Sequence, residues 1–259
     1  MEKANIHMPY SERKKYFDKF LEYKISPEIF FNGNDLDKIN YKEIEDISKK
    51  LSERGLKPSV HAPYNDINIS ASDKAIIEVT QKRLLHTIEL AKILNASGIV
   101  IHPGYDPLRF RLMEDSWFNS AKKNLESIIK KAEESKIYLA IENIFEEHFE
   151  YLKKLLLHFN SKYFGHCFDT GHFNIFSKIS LENWLENMNP FIISLHLHDN
   201  LGYLDQHLPV GDGSFPFKFF FTKLKANLKW VTLEMHNEKS VFRCLQNIKS
   251  LKTSANESI

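Results

Sequence analysis

The feature that most constrains the fold is a regular alternation of short apolar runs with longer stretches of helical periodicity. The runs have the length of strands and lie at residues 5–7, 26–31, 57–61, 99–102, 138–142, 164–169, 192–196 and 230–234. The helical stretches lie at residues 11–23, 41–54, 73–94, 116–134, 149–159, 181–188, 217–225 and 239–251. Because a helix follows each strand, the alternation indicates parallel βα units.

Eight such units in a chain of 259 residues predict an α/β protein, a closed (β/α)8 TIM barrel that forms a single domain. We expect the barrel to span residues 1–252 and a polar C-terminal tail to span residues 253–259. A doubly wound open sheet is the alternative. It normally has a glycine-rich first βα turn, which the N-terminal loop of this chain lacks.

Composition narrows the functional class. Lys and Arg number 35 against 34 Asp and Glu, and the net charge of +1 argues against a strongly basic nucleic-acid coat protein. No apolar run approaches the ~18 residues of a membrane helix, so we expect no contact with a membrane. Two cysteines are too few for a disulfide framework, and no apolar signal core follows the first residues, so a cytoplasmic location is expected.

Each of the last six apolar runs ends in a histidine or a carboxylate. These terminal residues are His61, His102, Glu142, Asp169, His196 and Glu234. In a β/α barrel the C-terminal ends of the strands meet on one face, where active sites lie. Six such residues in register therefore predict a functional site at that face.

Two loops add three more residues of the same chemistry. His172 follows Asp169 by three positions, and Asp205 and His207 form an Asp-x-His pair after the seventh strand. Imidazole and carboxylate ligands suit Zn²⁺ or Mn²⁺ first, with Fe²⁺, Co²⁺ and Mg²⁺ as alternatives. Nine residues exceed the needs of one ion, so either two or three ions bind or part of the set contacts substrate.

Several short segments, in order, resemble the xylose isomerase-like TIM barrel superfamily, which includes sugar phosphate isomerases/epimerases and endonuclease IV (AP endonuclease family 2). They are His-Ala-Pro-Tyr at 61–64, Ile-His-Pro-Gly at 101–104, Ile-Glu-Asn at 141–143, Phe-Asp-Thr-Gly-His at 168–172, Leu-His-Leu-His-Asp at 195–199, Asp-Gln-His-Leu-Pro-Val-Gly-Asp-Gly at 205–213 and Leu-Glu at 233–234. The resemblance implies a TIM barrel with a metal site at the C-terminal ends of the strands.

Two branches of the superfamily imply different ligand sets. The sugar isomerases and epimerases hold one metal with a quartet that corresponds to Glu142, Asp169, His196 and Glu234. Endonuclease IV holds three zinc ions with nine residues, and all nine have counterparts here. They are that quartet together with His61, His102, His172, Asp205 and His207.

The amino acids within and around these motifs favour the sugar isomerase and epimerase branch. The chain lacks the Gly-x-His-Val-Ser opening of endonuclease IV and has Asp-Thr-Gly-His where that family has Asp-Thr-Cys-His. Its loop 201–204 contains no basic residue. We therefore expect isomerisation or epimerisation of a sugar or sugar phosphate, with phosphodiester hydrolysis at abasic sites in DNA as the alternative.

The two readings give the same glutamates different tasks. In an isomerase or epimerase, Glu142 and Glu234 would transfer a proton through an enediolate-like intermediate beside a metal that polarises the carbonyl. In a hydrolase they would bridge metal ions about 3.5–4 Å apart. Alanine at either position is expected to abolish activity under both readings.

Three further residues are predicted to contact substrate. Tyr64 lies where endonuclease IV also has a tyrosine, and Asn143 directly follows Glu142. His198 has the same strand parity as His196, and His236 has the same relation to Glu234. His7 ends the weak first strand, where it could line the floor of the pocket.

Overall fold

The protein is a closed barrel of eight parallel strands arranged in sequence order, and this confirms the predicted fold class. The computed structural model describes residues 4–235 and 237–256. The strands are β1 (Asn5–Pro9), β2 (Pro27–Phe30), β3 (Ser59–His61), β4 (Gly98–Ile101), β5 (Tyr138–Glu142), β6 (Phe164–Asp169), β7 (Ile192–Leu197) and β8 (Trp230–Leu233). β1 pairs with both β2 and β8, so hydrogen bonding between strands continues around the whole barrel.

Helices follow the strands and form the outer layer. They are α1 (Arg13–Glu22), α2 (Gly33–Asp37), α3 (Tyr41–Ser52), α4 (Lys74–Ile93), α5 (Pro107–Phe110), α6 (Glu114–Ser135), α7 (Glu150–Phe159), α8 (Thr170–Phe176), α9 (Leu181–Met188), α10 (Phe217–Lys223) and α11 (Glu238–Asn256). Single turns of 3₁₀ helix lie at Tyr10–Glu12 and Asn189–Phe191. No helix in the described part of the chain combines the length and apolar character needed to cross a membrane.

All eight predicted helices are present, and the short helices α2, α5 and α8 are additional. Each additional helix begins after a side chain that accepts backbone N–H groups, namely Asn32, Asp106 and Asp169. Such caps stabilise a single turn that is too short to show a hydrophobic period. The first four residues of the predicted C-terminal tail continue α11, and residues 257–259 lie outside the described part of the chain.

The lower half of the barrel is filled by its own apolar cluster. Val100, Ala140, Cys167 and Trp230 pack together there, separate from the larger core between strands and helices. The ring of Trp230 occupies the space where a side chain on Gly98 would lie, 2.3 Å from an added Cβ atom. Because side chains alternate along a strand, residues two positions after Val100, Ala140 and Cys167 face the same interior, nearer its C-terminal end.

Candidate metal centre

The C-terminal face of the barrel brings together all nine residues that the sequence predicted as ligands. Several groups of three have one ligand atom each within 4.8 Å of the others. They include His61, His102 and Glu142; His61, His196 and Glu234; Asp169, His172 and His198; His198, Asp205 and His207; and His7, Glu28 and Glu234. The strand register produces this convergence, since Asp169 lies beside His196.

Glu142, at the end of β5, lies at the centre of the cluster. Its Oε2 atom is 3.4 Å from Nε2 of both His61 and His102. Its Oε1 atom is 3.1 Å from Nδ1 of His172 and 3.3 Å from Nδ1 of His196. Burial opposes ionisation of Glu142, but the charge of His196 and hydrogen bonding by the histidines outweigh it and hold its pKa well below the usual range.

Glu234, directly after β8, approaches the same end of the His196 imidazole as Glu142. Its Oε1 atom lies 3.1 Å from Nδ1 of His196, the same atom that Glu142 approaches. Its Oε2 atom is 3.7 Å from Nδ1 of His207. Burial would raise the pKa of Glu234, yet the charge of His196 and their hydrogen bond lower it well below the usual range. Two ionised carboxylates therefore converge on one histidine nitrogen.

A carboxylate that the sequence analysis missed supports His196 from below. Glu28 of β2 is fully buried, and its Oε1 atom lies 3.0 Å from Nε2 of His196. Its Oε2 atom accepts hydrogen bonds from the hydroxyls of Ser59 (2.7 Å) and Thr232 (2.8 Å). The available signal was a charged residue inside an otherwise apolar strand, which is rarely buried without a partner.

His7 adds a second residue on this side of the site. It pairs in register with Glu28, and its Nδ1 atom lies 4.0 Å from Oε1 of Glu234. Burial lowers the pKa of His7 to about 4, so its ring is neutral near pH 7. The sequence expectation that His7 lines the pocket agrees with its place on the cavity wall. His236 lies outside the described residues.

Asp169 connects β6 to the second half of the cluster. Its Oδ1 atom accepts the backbone N–H of His172 at 2.7 Å, which begins α8 and turns His172 back toward Glu142. Nε2 of His198 lies 3.0 Å from both carboxylate oxygens of Asp169. Gly171 is required here, because an added Cβ atom would lie 2.0 Å from the ring of His198.

The placement of His198 and Asn143 fits supporting roles better than substrate contact. His198 is fully buried and stacks on the ring of His207 at 4.1 Å, among the ligand-type residues. Asn143 is also buried and uses both ends of its amide on the backbone of Asp169, at 3.0 and 2.9 Å. Tyr64 differs, because it is 40% exposed and lines the cavity, stacked on His102 at 4.6 Å.

The loop that carries Asp205 and His207 is held by the carboxylate of Asp199. This carboxylate accepts backbone N–H groups from Gly211, Gly213 and two other residues. Oδ2 of Asp205 then lies 3.0 Å from Nε2 of His207. Burial opposes protonation of His207, but the hydrogen bond with Asp205 and the charges of Glu234 and Asp205 raise its pKa to about 9.

Buried atoms without hydrogen-bond partners indicate that the cluster suits a cation. Those that face the cluster are Oε2 of Glu142, Nδ1 of His172, Nδ1 of His196 and Nδ1 of His198. Leaving such atoms unpaired costs free energy, whereas metal coordination would satisfy several of them at once. Imidazole nitrogens and carboxylate oxygens are ligands for Zn²⁺ and Mn²⁺, so the residues present fit a divalent metal.

A cavity of about 530 Å³ opens above the cluster. Tyr64, Tyr105, Phe145 and Phe176 supply aromatic walls, and the cluster supplies its floor. No lysine or arginine is among the described residues that line it, whereas Asp66 and Asp205 are. The chamber therefore has the size and polarity of a site for a small uncharged polar molecule.

Comparison with known proteins places this architecture in a family. A family model for the xylose isomerase-like TIM barrel matches residues 26–257. The chain belongs to this family. Protein MJ1311 of Methanocaldococcus jannaschii is 31% identical over 175 residues, which are 64% of this chain and 59% of that protein. The matched part therefore spans less than two thirds of that relative's length.

Solved structures share the whole fold. A D-tagatose 3-epimerase-like protein superposes with a TM-score of 0.85 at 24% identity, covering 98% of this chain and 99% of the other. The TTHB071 protein of Thermus thermophilus, soaked with ZnCl₂, has a TM-score of 0.82 at 21% identity, covering 98% and 99%. At these identities the similarity establishes the barrel fold.

Proposed function

We propose that this protein is a divalent-metal-dependent enzyme that epimerises or isomerises a small sugar by proton transfer between Glu142 and Glu234. The observation that carries the proposal is the convergence of these two carboxylates on His196 Nδ1, at 3.3 and 3.1 Å. The fold shared with a D-tagatose 3-epimerase-like protein supports the same class of reaction.

Glu142, Asp169, His196 and Glu234 would hold the metal. When bound, the ion would act as a Lewis acid that polarises the sugar carbonyl and makes the neighbouring C–H group more acidic. Glu28 would hold the ring of His196 so that its Nδ1 atom faces the other three residues of the quartet.

The two glutamates perform the proton transfer itself. One carboxylate, kept ionised by the surrounding histidines, removes the proton from the carbon beside the carbonyl. The other carboxylate takes up a proton from solvent when substrate binds and delivers it to the opposite face of that carbon, which inverts the carbon. The first carboxylate then releases its proton to solvent. Return of the proton to the neighbouring carbon instead gives the isomer. Both outcomes pass through an enediolate-like intermediate.

The cavity favours a neutral sugar over a sugar phosphate. Its aromatic walls can stack on the apolar face of a sugar ring, and its described lining contains no cationic side chain to neutralise a phosphate. Arg111 and Lys178 both bind the carboxylate of Glu147, and neither is among the described residues that line the cavity.

Phosphodiester hydrolysis at abasic DNA is the second candidate, because ligand-type residues form more than one group. His61 and His102 both approach Oε2 of Glu142, at 3.4 Å each. His172 and His207 both approach Oδ2 of Asp205, at 3.5 and 3.0 Å. Together with the quartet, these groups match the needs of a polynuclear hydrolase.

A parallel assay separates the two candidates. Protein loaded with Zn²⁺ or Mn²⁺ is incubated with ketohexoses, ketopentoses, aldoses and their phosphates, and separately with a duplex that contains one abasic site. We expect conversion of at least one sugar and no cleavage of the duplex. Cleavage of the duplex without conversion of any sugar would contradict the proposal.

A further inference from the structure

A second cavity of about 360 Å³ lies between β1, α1 and α11, beside the metal cavity. Apolar side chains dominate its lining. They include Phe20, Ile25, Phe30, Met235, Val241 and Phe242. An apolar cavity of about 150 Å³ is enough to bind benzene, so this one can receive a ring system of about twice that size.

The two cavities share part of their walls. His7 and Tyr64 line both of them. Phe30 stacks on His7 with ring centres 5.8 Å apart and on Tyr64 at 5.2 Å. A molecule bound above the cluster therefore needs to extend only past this aromatic wall to enter the apolar cavity.

The cation at the outer rim of the apolar cavity is already paired. Lys19 pairs with Glu238 at 2.5 Å, and the hydroxyl of Tyr23 donates to the same carboxylate at 2.9 Å. The remaining charged residue of the described lining is the carboxylate of Glu12, so the lining offers no free cation to an anionic ligand. With its mainly apolar walls, the cavity is suited to an uncharged group.

Part of the apolar lining is left in contact with solvent. Tyr23 is 43% exposed and Phe242 is 41% exposed, and their rings meet edge to face at 5.4 Å. Covering such aromatic surface releases free energy in proportion to the apolar area removed from water.

We propose that this cavity binds the aromatic aglycone of a keto-glycoside, that is, a glycoside whose sugar ring occupies the metal cavity and carries a ketone beside a C–H group. The proposal rests on the function proposed above and adds the class of substrate. Because the glycosidic bond to the apolar group converts the anomeric carbonyl into an acetal, the reacting carbonyl is a ketone elsewhere on the sugar ring. The shared wall of His7 and Tyr64 selects this occupant over an unrelated apolar molecule, because it joins the cavity to the reacting site.

Calorimetry on the metal-loaded full chain tests the proposal. The probes are 2-naphthyl β-D-glucopyranoside, methyl β-D-glucopyranoside and 2-naphthol. We expect the naphthyl glucoside to bind at least about tenfold more tightly than the methyl glucoside. Equal affinity of the two glucosides would overturn the proposal.

Two variants test whether the tighter binding of the naphthyl glucoside depends on this cavity. Val241→Trp fills it from α11, and Phe242→Ala removes an exposed wall with little effect expected on folding. Each should bring the affinity for the naphthyl glucoside close to that for the methyl glucoside. Phe219→Ala is the matched control, because Phe219 is 38% exposed on α10 and lies outside the lining. An equal effect of Phe242→Ala and Phe219→Ala would overturn the assignment.

Separate results distinguish this proposal from the proposed function. Failure to convert any sugar, while 2-naphthol still binds wild type and not Val241→Trp, would contradict the enzyme and leave the apolar site standing. Conversion of free sugars with no preference for the naphthyl glucoside would overturn the apolar site alone.

Discussion

Nε2 of His196 lies 3.0 Å from Oε1 of Glu28 inside the barrel, directly beneath the ligand cluster. Ser59 and Thr232 hold the other oxygen of the carboxylate, so it cannot rotate away without losing two hydrogen bonds. The opposite nitrogen of the ring faces Glu142 and Glu234. This arrangement directs the Nδ1 lone pair of His196 toward the place where a metal would bind.

Glu28→Gln should therefore weaken metal binding. An amide NH₂ placed at Nε2 makes that nitrogen an acceptor and leaves the imidazole proton on Nδ1, the atom that must coordinate. We expect zinc affinity to fall about 10- to 100-fold, measured by competition with a fluorescent chelator. Glu45→Gln, an exposed site on α3, is the control. Wild-type zinc affinity in Glu28→Gln would show that the pair does not orient the ligand.

Glu142→Ala and Glu234→Ala should each abolish turnover of the sugar. A general acid or base contributes about 10²–10⁴-fold to the reaction rate. Because each carboxylate here also serves as a metal ligand, we expect the rate to fall by at least the upper value of that range. Initial rates and metal content are measured together, with Glu186→Ala on the exposed side of α9 for comparison. Full activity in either variant would refute the assignment of the site.

The double variant His61→Ala, His102→Ala separates a mononuclear from a polynuclear centre. The variant leaves the quartet of Glu142, Asp169, His196 and Glu234 unchanged, so we expect it to keep the ion that this quartet holds. We expect its sugar turnover to fall through a raised KM. Elemental analysis of protein purified without added metal gives the ion count. Loss of one ion from an initial two or three would favour the hydrolase.

Glu146 should make stability depend on pH. Its carboxyl is buried, with Oε1 unpartnered, and burial raises its pKa from 4.5 to about 8. Between these values the folded state keeps a proton that the unfolded state releases. The free energy of unfolding therefore falls as pH rises through this window, by up to about 1.4 kcal/mol per pH unit.

Glu146→Gln tests this dependence. The free energy of unfolding of chelator-treated protein is measured with urea at pH 5 to 9. We expect it to decrease less steeply with pH in the variant than in wild type. The difference between the two proteins isolates Glu146 from the histidines, which titrate in both. Parallel curves would mean that the carboxyl is ionised in the folded protein.

The sequence predicted the barrel and the gathering of ligand-type residues because both follow from simple periodicities. A strand places every second side chain inside, and parallel strands end on one face, so Glu142 and Glu234 could be brought together without coordinates. Glu28 was not predicted because it lies inside its strand, whereas the predicted strand residues lie at strand ends. Its role depends on hydrogen bonds with Ser59 and Thr232, which belong to other strands.

Loop geometry was the other part that spacing could not predict. His198 and Asn143 are candidates for substrate contact by position, yet Nε2 of His198 and the side-chain amide of Asn143 face Asp169. Asp199 holds the loop of Asp205 through backbone N–H groups from residues 12 to 16 positions away in the chain. Such side-chain to backbone contacts have no signature in hydrophobic periodicity.

Deuterium uptake from D₂O tests the central claim most directly. Metal-loaded protein is incubated with each ketose and aldose, and exchange at the carbon beside the carbonyl is followed by NMR. We predict exchange with wild type and its loss in Glu142→Gln and Glu234→Gln. Absence of exchange in every sugar, or undiminished exchange in both variants, would contradict proton transfer between these two glutamates.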